Sequence, residues 1–263
     1  MNVPVSSAPK RTSEDVLKPS IKTWCWTAWS LFSGSLYTIF CCVAVLIHSL
    51  FKPGLIIFHR WSRRWGRGML ALMGIRTHVT LPFALDPTKP YIFLANHQNV
   101  LDIFVSTGFV PIPFGFLAKV ELKTAPFVGW VLQRFCVFVD RSTPRKAVES
   151  IRQAGKMVRE GHAIMVYPEG ERTWSNQMVP FMRGAFEVAI EAGVPIVPMS
   201  FVGFYAYADE RRYLVSPGEI RVIFHPVVET NGLTRKDIPA LMETVFEVIQ
   251  RGQEAAEIQK TPY

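Results

Sequence analysis

Along the chain, apolar and polar positions form two textures. Residues 31–51, LFSGSLYTIFCCVAVLIHSLF, run for 21 positions without Asp, Glu, Lys or Arg. A helix of that length covers about 30 Å, the thickness of a bilayer's hydrocarbon layer. Trp24, Trp26 and Trp29 precede it, as an aromatic belt at an interface would. Lys52-Pro53-Gly54 then breaks the run. Beyond the break, Ile56, Ile57, Phe58, Trp61, Trp65 and Leu70 are interleaved with Arg60, Arg63, Arg64 and Arg67. Trp61 and Trp65 are four apart, as are Arg60 and Arg64, and Arg63 and Arg67. That spacing predicts an amphipathic interfacial helix whose arginines meet anionic headgroups. The two helices either cross the bilayer or dip in and return. The arginines that follow the apolar run place the rest of the chain on the cytoplasmic side.

From about residue 76 short apolar runs alternate with helical periodicity. Residues 77–81, 91–95, 114–118, 135–139, 163–167, 196–201 and 220–224 read as strands, and 101–109, 144–160, 182–192 and 235–256 as helices. The strands are almost continuously apolar, as strands covered on both faces are. The expected fold is α/β, a mixed, largely parallel sheet flanked by helices, behind an N-terminal membrane-associated helix or helix pair. The expected organisation is a mobile tail over 1–23, a membrane segment over 24–74 and an α/β domain over 75–263.

Composition narrows this. The chain has 263 residues, enough for one domain plus an appendage. It is 49% hydrophobic and 19% charged, which excludes a disordered or fibrous protein. Lys+Arg number 29 against 21 for Asp+Glu, a net charge of +8, which suggests a membrane surface or an anionic ligand. Much of the basic excess lies in 52–67, and no nucleic-acid-binding motif is present. Cys25, Cys41, Cys42 and Cys136 form no Cys-x-x-Cys pair, so neither a zinc site nor a disulfide framework is expected, and the compartment reads as reducing. Residues 66–71 match the dinucleotide pattern G-x-G-x-x-A, but inside a basic helical stretch rather than between a strand and a helix, so the match reads as chance.

The residues suited to chemistry stand at strand ends, where α/β folds place reacting groups. After the strand YIFLA come Asn96-His97-Gln98-Asn99 and then Asp102. Within one helix His97 and Asp102 would point about 140° apart. With His97 in the loop and Asp102 in the first helical turn, the carboxylate reaches the imidazole, fixes its tautomer and leaves the other nitrogen as a base. After the strand AIMVY come Pro168-Glu169-Gly170-Glu171-Arg172, where Gly170 permits close backbone approach and Arg172 can grip a phosphate. There is no G-x-S-x-G elbow, so direct attack by an acceptor alcohol fits better than a covalent serine intermediate.

With Lys119, Gly129, Phe138-Val139-Asp140-Arg141 and Val194-Pro195-Ile196-Val197-Pro198, these blocks resemble in order those of the glycerophospholipid acyltransferases, most closely the bacterial 1-acylglycerol-3-phosphate acyltransferases. The resemblance covers about residues 76–226. It implies acyl transfer from acyl-carrier protein or acyl-coenzyme A to the hydroxyl of a lysophospholipid at the inner membrane, with no cofactor beyond the thioester and no metal. It implies that His97 is the general base and that Asp102 orients it. It places Glu169, Gly170 and Arg172 in the acceptor site, with Lys119 and Arg141 as phosphate contacts. Three positions depart from the family pattern. Cys136 replaces a glycine, Leu122 a phenylalanine, and Glu171 the threonine of E-G-T-R. Glu171 is repulsive to a phosphate unless it points away or pairs with an arginine. It leaves open another acceptor, such as a lyso-ornithine lipid.

Overall fold

The computed structural model describes residues 10–51, 54–139 and 143–258. A one-turn helix, α1 (Ser13–Val16), precedes α2 (Ile21–Phe51), which contains the uncharged run and extends ten residues before it. At 1.5 Å per residue α2 is about 46 Å long. One face is closed and built of small residues, among them Thr27, Ser30, Gly34, Cys41 and Cys42. The other exposes Trp29, Phe32, Leu36, Phe40 and Leu50. α3 (Leu55–Leu72) packs back along α2. Glycine lets these helices approach: a Cβ on Gly34 would lie 2.8 Å from Met69 Cε, and one on Gly68 2.3 Å from the Tyr37 ring.

The rest of the chain alternates strand and helix. In order come β1 (Ile75–Thr80), β2 (Ile92–Ala95), α4 (Leu101–Phe109), β3 (Phe114–Lys119), α5 (Val128–Phe135), β4 (Val137–Val139), α6 (Pro144–Arg159), β5 (Ala163–Val166), α7 (Gly184–Ala192), β6 (Ile196–Val202), β7 (Ala208–Asp209), β8 (Leu214–Val215), β9 (Gly218–Phe224) and α8 (Ile238–Ile258). Seven strands form one sheet in the order β1-β9-β6-β2-β5-β3-β4. Every neighbouring pair is parallel except β6 with β9. This is the mixed, largely parallel α/β sheet that the apolar runs predict.

β2 shows why the runs are unbroken. Phe93 and Ala95 enter a core with Leu70 of α3 and Leu101 and Val105 of α4. Ile92 and Leu94 point to the opposite face, against Ala154 and Val158 of α6, Phe186 of α7 and Ile249 of α8. With period-2 alternation and both faces covered, no position is left for a polar side chain.

Several expectations give way to tertiary structure. Phe135 ends α5 instead of opening a strand, because the apolar face of that helix closes against Val45, Ile57 and Phe58 of the helix pair. β7 and β8 form a separate two-stranded hairpin that the pattern does not signal. Residues 10–17 are not a loose tail. Ser13 is fully buried, and its Oγ donates to the carboxylate of Asp209 at 2.6 Å. Arg63 and Arg67 are also bound within the protein: the exposed Arg67 donates from Nε to Gly108 O at 2.9 Å and the half-buried Arg63 from Nη1 to Pro111 O at 3.4 Å, so both serve the carbonyl-rich C-terminal end of α4.

The G-x-G-x-x-A match lies wholly in α3, and close packing explains its first glycine. A Cβ on Gly66 would lie 2.3 Å from Phe104 O of α4 and 2.3 Å from Thr107 Oγ1. Gly66→Ala should therefore force α3 and α4 apart and destabilise the protein by about 1–3 kcal/mol. Thermal unfolding in detergent checks this, and an unchanged midpoint would refute the close approach.

Candidate active site

β2 and β5 are parallel neighbours, with Leu94 opposite Val166, so the segments that follow them leave the same edge of the sheet. Three amide side chains fix the first segment. Asn96 exchanges hydrogen bonds with the backbone of Phe201, donating to its carbonyl at 3.0 Å and accepting from its N–H at 2.7 Å. Gln98 Oε1 accepts from Tyr205 N at 3.0 Å. Asn99 Nδ2 donates to the carbonyls of Phe204 and Ala208 at 2.7 and 2.8 Å. All three are buried.

On this platform His97 Nδ1 lies 2.6 Å from Asp102 Oδ2. The same oxygen accepts from Gln98 N at 2.6 Å and Asn99 N at 3.0 Å. Asp102 is fully buried in the first turn of α4. Burial raises its carboxyl above the ordinary carboxylate range, against the opposing pull of His97 and the two amides. Opposite this acceptor Nδ1 carries the proton, and Nε2 is left as the base. The His97 side chain is 12% exposed, so substrate can reach it.

Beneath the imidazole lies Tyr167, the last residue of the AIMVY run. Its ring stacks on His97 with centroids 4.1 Å apart and planes 7° apart. Its hydroxyl donates to Asp102 O at 3.0 Å and lies 2.9 Å from Ser106 Oγ. Burial, then the Asp102 charge, push its phenol far above the ordinary range, so it stays neutral. Tyr167, Asn96, Gln98 and Asn99 are missed by sequence reasoning. The signal for Tyr167 was its place beside Pro168-Glu169, which drew attention to the charged residues after it.

The predicted acceptor residues divide. Glu169 is not among the residues that line the cavity described below. It is 3% exposed; its Oε1 accepts from His97 N at 2.7 Å and its Oε2 from Val179 N at 3.0 Å. It pins the backbone of the base, and burial pushes its carboxyl up to about 8 against those two amides. Gly170 turns the chain at φ +79°, with its N–H bonded to Tyr167 O at 3.1 Å. Arg172 Nη1 donates to Glu210 Oε1 at 2.6 Å. Glu171 is exposed and does not line the cavity described below, so the arginine's acidic neighbour comes from the β7–β8 turn. Lys119 belongs to β3 by its backbone, but its side chain and all of Arg141 lie outside the described residues. Among the described residues no group of three or more His, Cys, Asp or Glu is placed to hold a metal ion.

His97, Tyr167, Gly170 and Arg172 open onto one cavity of about 700 Å³. Most of its other walls are apolar: Cys41, Cys42 and Val45 of α2, Phe58 and Trp61 of α3, and Val128, Val131 and Leu132 of α5, with Glu121, Thr38 and Ser62 among the polar exceptions. A base and a guanidinium thus share a chamber suited to a hydrocarbon chain.

A family model described as acyltransferase matches residues 76–202. The 1-acyl-sn-glycerol-3-phosphate acyltransferase alpha of Mus musculus is 36% identical over 181 residues, 66% of this chain and 62% of that protein. A Mycoplasma genitalium protein named "Probable 1-acyl-sn-glycerol-3-phosphate acyltransferase" is 31% identical over 192 residues, 68% of this chain and 71% of that protein. The chain spans less than two thirds of its mammalian relatives, 62% of the mouse protein and 64% of the human beta form. The crystal structure of the 1-acyl-sn-glycerophosphate (LPA) acyltransferase of Thermotoga maritima matches with a TM-score of 0.80 and 25% identity, covering 92% of this chain and 98% of that one.

Three expectations follow from the geometry. Removing the base, His97→Ala, should lower acyl transfer by about 10²–10⁴-fold in a single-turnover assay, with the fold intact by circular dichroism; more than a tenth of the rate remaining would refute the assignment. Tyr167→Phe, which keeps the stack, should lose only a few-fold, and Tyr167→Leu about ten-fold. Glu169 sets a pH dependence. Its folded carboxyl holds a proton up to about 8, whereas the unfolded one releases it near 4.5. The unfolded state therefore gains stability as pH rises through that window. The wild type's stability relative to Glu169→Gln should fall between about pH 5 and 8, read from paired melting curves.

Proposed function

The chain belongs to the acyltransferase family, and from that premise we propose that it transfers an acyl chain from acyl-carrier protein or acyl-coenzyme A to the sn-2 hydroxyl of 1-acyl-sn-glycerol-3-phosphate, forming phosphatidic acid. One observation carries the reading: His97, held by the buried Asp102, and Arg172 line one cavity whose other walls are largely apolar.

In this reading the acceptor hydroxyl gives its proton to His97 Nε2 as its oxygen attacks the thioester carbonyl. Asp102 stabilises the imidazolium that forms. The tetrahedral intermediate collapses, the C–S bond breaks, and the leaving thiolate takes the proton back from Nε2. Arg172 holds the acceptor's phosphate. Glu169 touches no substrate in this scheme and positions the backbone of His97. An acyl chain lies in the apolar chamber between α2, α3 and α5.

The exposed apolar face of α2 supports a membrane location, and the arginines that follow the apolar run favour the inner membrane with the α/β domain on the cytoplasmic side. α2 is long and apolar enough to cross a bilayer, but it also walls the cavity. That double use favours a helix pair embedded from one side. Arg60 and Arg64 are exposed on α3 and suit anionic headgroups. A second reading rests on Glu210: a carboxylate at 2.6 Å from Arg172 suits an acceptor with a cationic group, such as a lyso-ornithine lipid.

Purified protein offered both thioester donors and a panel of lyso-acceptors separates these readings. Turnover should be highest with lysophosphatidate, and Arg172→Ala should raise its KM about ten-fold or more, the loss of one charge-assisted contact. Activity on lyso-ornithine lipid alone would overturn the acceptor assignment and leave the catalytic pair standing. High salt should not release the protein from membranes, because burial of apolar surface is not screened as surface charge is.

A further inference from the structure

Residues 10–17 lie outside the stretch matched by the family model, yet they are built into the surroundings of the site. Thr12 bridges Ser175 in antiparallel fashion. Arg11 N donates to Asn176 Oδ1 at 2.8 Å, Asn176 N donates to Arg11 O at 3.0 Å, and Ser13 N donates to Trp174 O at 2.8 Å. The segment is thus stitched to the loop that follows Arg172. It is equally stitched to the β7–β8 hairpin. Ser13 Oγ donates to Asp209, which also accepts from Arg211 and Arg212. Arg212 Nη2 reaches back to the carbonyls of Ser13 and Leu17 at 3.0 and 3.1 Å.

These two pieces of backbone carry the two halves of one ion pair. Arg172 opens the loop, and Glu210 follows Asp209 in the hairpin. The loop is tied to the catalytic segment by Thr173 N to His97 O at 3.0 Å and Trp174 N to Gln98 O at 2.9 Å. The same segment is tied to the hairpin by Asn99 Nδ2 to Ala208 O at 2.8 Å, and Arg211 of the hairpin lies over the Trp174 ring at 4.3 Å. The N-terminal segment adds a direct bridge that bonds both loop and hairpin.

We propose that residues 10–17 form a strap that positions Arg172 for the acceptor's phosphate, with the buried Ser13 as its central positioning residue. The proposal rests on reading Arg172 as the phosphate contact. The strap leads through Lys18-Pro19-Ser20 directly into α2, so the chain just before the membrane helix takes part in headgroup binding. Because Glu169 and Asp102 hold His97 independently of the strap, loosening it should weaken acceptor binding and spare the chemical step.

Ser13→Asp sets a second carboxylate against Asp209 and should eject the strap; Ser13→Ala removes only the hydroxyl. With full-length protein in mixed micelles, Ser13→Asp should raise KM for lysophosphatidate by about ten-fold, and Ser13→Ala by less, with kcat within about two-fold of wild type. In an Arg172→Ala background Ser13→Asp should add almost nothing, because both changes remove the same contact. Amide exchange at 172–176 should rise in Ser13→Asp while 92–95 stays protected. If Ser13→Asp does not fold, Ser13→Ala is compared in its place. An unchanged KM, full additivity with Arg172→Ala, or unchanged exchange at 172–176 overturns the strap. Wild-type protein inactive on lysophosphatidate refutes the acceptor instead, and the exchange comparison then decides the strap alone.

Discussion

A carboxylate with no access to water organises this site. Asp102 is fully buried, and a buried charge persists only when hydrogen bonds replace its hydration. Oδ2 gathers three donors from a single loop: the imidazole of His97 and the amides of Gln98 and Asn99. Drawing those donors to one atom curls the loop, and the curl sets the direction of the imidazole. Asn96, Gln98 and Asn99 fasten the same loop to β6 and the segment after it. Glu169 fastens it from the β5 side. The reactive nitrogen is therefore held through the backbone, by groups that never meet a substrate.

Two requirements meet at the cavity. A base of this kind works best where water is scarce, and an acyl chain needs an apolar wall. α2, α3 and α5 supply both, and they can do so because glycine lets helices approach to distances that a Cβ would block. Gly66 brings α3 onto α4, and Gly34 and Gly68 bring α3 onto α2. The helix pair that meets the bilayer is thus also one wall of the active site. In the proposed reaction, a lyso-acceptor leaving the membrane would not have to expose its hydrocarbon to water.

Electrostatics at the headgroup end is less simple than a patch of positive charge. Arg172 rests against Glu210, so any anion reaching it would meet a cation that already has a counter-ion. The carboxylate weakens binding of any anion and at the same time holds the guanidinium in one place. Glu171, the departure most visible in the sequence, is exposed and lines no part of the cavity. The residue that matters electrostatically is Glu210, 38 positions beyond Arg172 in a hairpin that carries no motif.

What the sequence determined by itself are the properties that follow from local pattern. Runs such as Ile92–Ala95 and Ala163–Val166 are apolar throughout because the sheet is covered on both faces, so they are legible as buried strands. The uncharged stretch over 31–51 is legible as a membrane-compatible helix for the same reason of solvation. His97 and Arg172 are legible because each follows the end of such a strand, and Asp102 because it opens the helix after the first. Tertiary structure alone decided what depends on meetings between distant residues. Glu169 reads as a ligand group until its two oxygens are seen on the amides of His97 and Val179. Residues 10–17 read as a loose tail because their polar side chains are solvent-compatible in isolation, and only Asp209, nearly two hundred positions later, gives Ser13 a reason to be buried. A hydrogen bond needs one donor and one acceptor, and the sequence does not say which of many will face each other. Burial of apolar surface needs no particular partner, which is why the core was readable and the polar network around the base was not.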